Sequence, residues 1–362
     1  MNDDESLGRG DPRPARIQEV AKAAGVSTAT VSRALSAPNT VRPATRERVI
    51  EAARRLNYTP NEAARALRAG STRMVLAAVP DVYSGAFFDG VLNAIDAELS
   101  AHGYTMIFGS LEGDEEKARR LVELVYARQI DGVIILSNCA GAAGRKSVLD
   151  AGVPIVAVCA EVDRPGHPTI LVDDRACAIA QTRHLIEFGH RRLLYVSGIA
   201  DHYNEIHRYR GFRDAVADAG IADTEVRRFV GDYSLRSGVE AARFFLAQSP
   251  RPTGVVCCSD EMAIGFLKTA TSAGVKAPQD VSIVGFDDIE FAQFCEPALT
   301  TIRQPRDELG AAGARTLLRC LSGQLLSCAP IVVEGQLVVR GSTGPAPRFR
   351  RSFRERRHAT AA

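Results

Sequence analysis

From Met74 to about Arg340 the chain alternates short apolar runs with amphipathic stretches of helical period, and this alternation leaves few folds open. The strand candidates are Met74 to Val79, Tyr104 to Phe108, Gly132 to Leu136, Ile155 to Cys159, Leu193 to Val196, Gly254 to Cys258 and Val281 to Val284. Between and after them the period predicts helices near 86–102, 115–128, 174–189, 207–219, 235–247, 260–273 and 306–321. Continuous apolar strands separated by helices form parallel sheets covered on both faces. About 270 residues of this pattern exceed one sheet of ordinary size, so two Rossmann-like lobes with a cleft between them are expected. Ligands of such sheets sit beyond the carboxyl ends of the strands. That rule points to Pro80-Asp81, the Gly198 to Arg208 loop, Ser259-Asp260 and Asp287-Asp288.

The first 70 residues follow a different period. Ile17, Val20, Ala21 and Ala24 recur at helical spacing and give one apolar face. Gly25 stops that helix, Val26 fills the corner and Ser27 caps a second helix beginning at about Thr28. Val31 and Leu35 are expected to face inward, leaving Thr28, Ala29, Ser32 and Arg33 on an outer face free of acidic residues. Two short helices around a glycine turn are the layout of a DNA-reading helix-turn-helix, although a small helical bundle with no ligand has the same pattern. Pro43 opens a third helix with Val49, Ala52, Ala53 and Leu56 inside. The segment from Asn61 to Gly70 spans only about two helical turns, and a helix that short is marginal alone in water. Leu67 within it has no evident core; a flexible linker whose leucine packs on the next domain is the plain alternative.

Charge divides the same way. Residues 16–70 hold ten Lys or Arg against four Glu, about +6 in a chain of formal net charge +2. The stretch from Pro345 is about +5, the first 15 residues about −2, and residues 71–344 therefore about −7. A basic head on an acidic body suits a protein that meets phosphate at one end. Eight scattered cysteines form no CxxC pair, which suits reduced thiols; Cys257-Cys258 reads as core, with redox sensing as the alternative. No apolar leader opens the chain and no run approaches 18 apolar residues, so an intracellular protein that does not enter a membrane is expected. GxSxG, Walker, HExxH and GxGxxG patterns are absent, so neither an enzyme nor a cofactor or metal site is expected. The remaining alternative is a ligand-binding protein of the periplasmic type, which would need an export signal and no DNA head.

Over residues 17 to about 343 the chain resembles the LacI/GalR family of bacterial transcriptional regulators. The resemblance rests on VSTATVSRAL, LNYTPNEAARAL, VPD with a following FF, RYRGF, SDEMAIG, VGFDD and LTTIRQP, in the family's order. The FDDIEFAQFCEPALTTIRQPRDELG stretch and the closing VVRGST are most similar to the cytidine-responsive branch. The resemblance implies an all-α helix-turn-helix DNA-binding domain (16–60), a hinge (61–72) and a periplasmic-binding-protein-like α/β core of two lobes (73–344). Residues 1–15 and the basic 345–362 tail fall outside these domains and are expected to be disordered. It further implies a homodimer, or a tetramer, on operator DNA, modulated by a nucleoside, ribose or other sugar.

For the DNA side, the resemblance assigns Ser27, Thr28, Ala29, Thr30, Ser32 and Arg33 to the major groove, with Asn61 in the hinge. Arg33 suits guanine, and Ala29 or the Thr28 methyl suits a thymine methyl. Leu67 matches the hinge leucine that wedges into a minor groove, and Arg68 meets phosphate. For the effector it implies Asp81, Phe87, Phe88, His202, Asn204, Arg208, Tyr233, Asp260 and Asp287. Arg208 and Asp287 would anchor hydroxyl groups, unless they form a salt bridge with each other; either phenylalanine would otherwise be plain core and His202 an exposed loop residue. Three positions depart from the family pattern: Gly85-Ala86 replaces Asn-Pro, Arg42 stands where a capping Ser is usual, and Cys159-Ala160 lacks the aromatic residue of purine-binding members.

Overall fold

A computed structural model describes residues 15–59, 70–81, 85–136, 142–143, 146–162, 164, 166–324 and 327–347. Asn61, Leu67 and Arg68, with most of the expected hinge and of both terminal segments, lie outside the described residues. The chain divides into two units at Thr72/Arg73.

The first unit is a three-helix head of α1 (Ile17–Ala24), α2 (Thr28–Ser36) and α3 (Pro43–Arg55). Gly25 closes α1 at φ 65°, a left-handed conformation that costs glycine little, and its N–H returns to Ala21 and Lys22 carbonyls. The Ser27 hydroxyl accepts from the Thr30 amide at 3.2 Å and starts α2 at Thr28. Helix α3 starts at Pro43 with no side-chain cap from Arg42, because proline needs no N–H partner in a first turn. Val20, Val31 and Val49, one from each helix, are fully buried at the centre. Beside Val31 the buried residue of α2 is Ala34, while Leu35 is half-buried: the small methyl lets the three helices close on one another.

The second unit has two lobes. The first carries a six-stranded parallel sheet in the order β13-β7-β6-β3-β1-β2, built from β1 (Met74–Val79), β2 (Thr105–Ser110), β3 (Gly132–Ile135), β6 (Ile155–Val158), β7 (Thr169–Val172) and β13 (Ile331–Val333). A two-stranded ribbon, β4 (Ala142–Ala143) and β5 (Lys146–Ser147), stands beside it. The second lobe's sheet runs β14-β12-β11-β10-β8-β9, from β8 (Leu193–Ser197), β9 (Val226–Val230), β10 (Gly254–Cys257), β11 (Ser282–Asp287), β12 (Thr300–Arg303) and an antiparallel β14 (Gln336–Val338). Helices α4 (Gly85–Ala101), α5 (Glu115–Tyr126) and α10 (Arg306–Leu321) cover the first sheet; α6 (Asp174–Glu187), α7 (Tyr203–Asp218), α8 (Leu235–Leu246) and α9 (Asp260–Ser272) cover the second.

The chain crosses between lobes three times, at Asp173, at Gln304-Pro305 and at Glu334-Gly335. Each crossing follows a strand, so the joints lie where the carboxyl ends of the two sheets face each other. Every helix expected between residues 73 and 340 is present, and α7 begins four residues earlier than its period indicated. Strands β7, β9, β12, β13 and β14 were not legible as apolar runs. Edge strand β9 is interrupted by the adjacent exposed Arg227 and Arg228, and β12 buries threonines whose hydroxyls find partners, Thr300 to Thr343 at 3.0 Å and Thr301 to Asp260 at 2.5 Å.

Candidate ligand cleft and DNA-reading helix

The cleft forms where the strand ends meet. Pro80 follows β1, Leu136 follows β3 and Cys159 follows β6, while the first turn of α4 supplies Phe87 and Phe88. The two phenylalanine rings meet edge to face at 5.1 Å; Phe87 is largely core and Phe88 is half-buried. Across the gap the second lobe contributes Ile199, His202, Asn204, Arg208, Tyr233, Ser259 and Asp287, and Gln304 comes from the second crossing. The enclosed space is about 70 Å³. Ordinary small-molecule sites span roughly 300–1,000 Å³, so a ligand enters this cleft only as the lobes part or a lining ring swings away.

Arg208 and Asn204 stand one turn apart on α7 and both grip one carboxylate, that of Asp174 in the first turn of α6. The Arg208 Nε donates to Asp174 Oδ1 at 2.7 Å, and Asn204 Nδ2 donates to Oδ2 at 3.0 Å. A second arm, Arg208 Nη1, donates to the Cys258 carbonyl at 2.6 Å, and the guanidinium carbon lies 3.7 Å from the Phe286 ring centre. Burial works against this charge, but Asp174 and then Asp287 outweigh it and hold the arginine above its ordinary pKa. No sequence signal marks Asp174, because Asp173 beside it has the pattern of the helix cap, which it is: its side chain accepts from the Ala176 amide.

Asp287 closes β11 at φ 121° and accepts at Oδ1 from Gln304 Nε2 at 2.7 Å. Burial lifts its carboxyl to about 7, opposed by Arg208 and by the Gln304 hydrogen bond. Arg208 and Asp287 thus each have their own fixed partner, and no direct salt bridge joins them among the described residues.

Tyr233 adopts φ 70° and lays its ring against Gly198; a Cβ there would fall 2.0 Å from the Tyr233 Cζ, so only glycine leaves room. The Tyr233 hydroxyl is buried without a partner among the described residues. His202 stacks on the same ring at 6.2 Å and is half-buried, so it lines the cleft rather than standing in an exposed loop, and burial pushes its pKa down against the pull of Glu112 and Asp201. Beneath this surface lies a carboxylate that no motif marks. Glu205 accepts from the Gly198 amide at 2.8 Å, from Arg228 at 3.1 Å and from the Tyr195 hydroxyl at 3.3 Å.

Three expected carboxylates are placed elsewhere. Asp81 is exposed, its amide bonded to Glu112, and lies outside the cleft lining. Asp260 is fully buried behind the lining, where it accepts from Thr301 and, at 2.9 Å, from the Ile289 amide; it pins α9 to β12 and to the loop after β11. Asp288 turns away to Arg303 and Arg340, each at 2.6 Å. Gln304, Leu136 and Cys159 are lining residues with no chemical signal in the sequence.

On the head, Thr28, Ala29 and Arg33 are exposed on α2. The Ser27 and Thr30 hydroxyls are 2.9 Å apart and bonded to each other; Ser27 is exposed as well, while Thr30 and Ser32 are half-buried. Among the described residues no group of histidine, cysteine or carboxylate side chains is arranged to hold a metal ion, and no helix is long and apolar enough to cross a membrane.

A helix-turn-helix head joined to a two-lobed body with a polar cleft defines a ligand-sensing regulator of transcription. Residues 16–61 match the bacterial regulatory proteins of the lacI family, and residues 182–343 match the periplasmic binding protein-like domain. The HTH-type transcriptional repressor CytR of Escherichia coli (strain K12) is 34% identical over 340 residues, covering 92% of this chain and 97% of that protein. The chain therefore belongs to the LacI family of bacterial transcriptional regulators. Its fold is similar to the lac repressor dimer bound to operator and the anti-inducer ONPF, with TM-score 0.79 and 26% identity over 92% of this chain and all of that one. It is also similar to a LacI family regulator from Enterococcus faecium with bound ribose, with TM-score 0.69 and 26% identity over 75% of this chain and 99% of that one. Nothing favours a periplasmic-type ligand-binding protein without a transcriptional role.

Proposed function

We propose that the chain is a cytoplasmic repressor that acts as a homodimer on a near-palindromic operator and is modulated by a small sugar or nucleoside held between its lobes. Two copies of α2 enter successive major grooves about one helical turn apart, with Thr28, Ala29 and Arg33 at the base edges. The ligand acts through its differential affinity for parted and closed lobes, which shifts the spacing of the segments that lead to the heads. The observation that carries this reading is the presence, in one chain, of an exposed acid-free helix face and a cleft whose Arg208, Asp287 and Tyr233 converge on one small cavity.

The test is selection of duplexes from a random-sequence library by the full-length chain, followed by footprinting of the enriched site. Two inverted half-sites with centres about 10 base pairs apart are expected. Enrichment of a single unpaired half-site, or none, would overturn the dimeric operator reading.

A further inference from the structure

We propose that the cleft takes an uncharged hydroxylated ring, a free nucleoside or sugar, and rejects the phosphate ester of the same compound. This rests on the effector reading above and states what that effector cannot carry.

Helices α7 and α9 begin at the cleft, with His202 and Ser259 on its wall, and α6 begins behind it, where Asp174 holds Arg208 and Asn204. Helix N-termini ordinarily make phosphate sites, because free N–H groups and the positive end of the dipole point the same way. Here each first turn already holds a buried carboxylate of its own: Asp174 in α6, Glu205 in α7 and Asp260 in α9, each no more than 2% exposed. One first-turn amide of α6 and one of α9 are capped as well, Ala176 donating to Asp173 and Met262 to Ser259; α7 has no side-chain cap, and Glu205 instead accepts from the Gly198 amide of the loop leading into it.

Cationic side chains offer no substitute. Arg208 is the one permanently charged cation among the described lining residues, and its Nε and Nη1 are committed to Asp174 and the Cys258 carbonyl. His202 is held toward its neutral form by burial. Asp287 adds a further carboxyl on the cavity wall. A phosphate brought here would meet the Asp287 carboxyl on the cavity wall with Asp174 and Glu205 close behind it, and among the described lining residues only Nη2 of Arg208, a cation whose charge Asp174 already balances, could offset its own.

What the cavity does leave open suits hydroxyl groups and a ring. The Tyr233 hydroxyl is buried and unpartnered, and it can donate to or accept from a ligand hydroxyl. Gln304 occupies only Oδ1 of Asp287, which leaves Oδ2 to accept. Phe88, Leu136, Ile199 and Pro80 supply apolar surface for a ring face.

The experiment is calorimetric titration of the full-length chain with matched pairs: cytidine and adenosine each beside its 5′-phosphate, ribose beside ribose 5-phosphate, and glucose beside glucose 6-phosphate. At least one uncharged member should bind, with its phosphate ester weaker by roughly a hundredfold or more. A phosphate ester that binds within tenfold of its uncharged partner overturns the inference, and so does a panel in which no uncharged member binds. The DNA selection run on the same preparation separates the two readings. An enriched operator whose occupancy responds only to a phosphorylated compound leaves the regulator standing and removes this inference; no enriched operator removes the regulator reading whatever the titration shows.

Discussion

Arg208 Nε and Asp174 Oδ1 lie 2.7 Å apart, in a pair whose side chains are 6% and 1% exposed, and that ion pair holds the polar floor of the cleft in place. Breaking a buried pair from one side leaves a charge stranded out of water, a loss of about 3–5 kcal/mol. Asp174→Ala is therefore expected to lower the urea midpoint strongly, and Asp174→Asn, which can still accept from Arg208, to lower it less. Adding Arg208→Met to Asp174→Ala should restore part of the loss, because the stranded charge goes with it. Equal midpoints for Asp174→Ala and the parent chain would show that the pair is not what holds this region.

Asp287 gives a pH dependence of defined sign. Its carboxyl stands at about 7 in the folded chain against an ordinary 3.8, so between those values the folded chain keeps a proton that the unfolded chain has released. Its contribution to stability is fully present below about pH 4 and is lost as pH rises through 7. Asp287→Asn should remove that slope and be more stable than the parent at pH 8 than at pH 5, relative to wild type at each pH. A ligand hydroxyl that donates to Asp287 favours the carboxylate, so binding near pH 6 should expel a proton. Titrations in buffers of different ionisation heat measure that release directly; identical enthalpies in all buffers would exclude it.

On the DNA side, Arg33 and Arg68 should fail differently. Arg33→Ala removes a side chain from the open face of α2 and is expected to relax preference at one base of each half-site by about 1–3 kcal/mol. Arg68→Ala should weaken all sequences alike and reduce the salt slope of binding. Competition between the selected operator and single-base variants, repeated over a salt series, tells them apart. A uniform loss for Arg33→Ala would remove it from base reading.

The contrast between Arg208 and Asp174 shows what the residues could tell in advance. Arg208 was legible because its spacing from Gly211 belongs to a motif, and the parallel lobes were legible because β1, β3, β6, β8 and β10 are nearly pure apolar runs. Asp174 was not, because its role depends on α6 and α7 docking side by side, and no local period encodes that contact. The same holds for Asp260 and Asp288. Both stand beside motif positions, yet Thr301 and the Ile289 amide claim the first, and Arg303 and Arg340 the second, all from strands or loops distant in the chain. Threonine-rich β12 was hidden for a related reason: its burial is permitted by hydroxyl partners that only the assembled sheet provides.

His190 carries the last prediction. It is fully buried, with Nδ1 3.0 Å from the Thr253 hydroxyl and Nε2 3.0 Å from the Gly344 carbonyl. A carbonyl only accepts, so Nε2 carries the proton and Nδ1 accepts from Thr253. The ring thus ties Gly344 to the second lobe's sheet, next to His184, whose Nε2 meets the Thr343 hydroxyl at 2.8 Å. A doubly protonated ring would lose its acceptor and place a charge in the core, and burial accordingly lowers the His190 pKa below the ordinary 6.5. The folded state then refuses a proton that the unfolded state takes up, so the stabilisation is complete above pH 6.5 and declines as pH falls from there through the folded value. Asp287 contributes a slope of the opposite sign over the same interval, so the quantity to follow is the difference in denaturant midpoint between the parent and His190→Ala. That difference should be largest at pH 8, about 1–3 kcal/mol for the unsatisfied groups the substitution leaves and more for the cavity, and should narrow towards pH 5. A variant with the parent's slope would show that the acid sensitivity lies with other histidines.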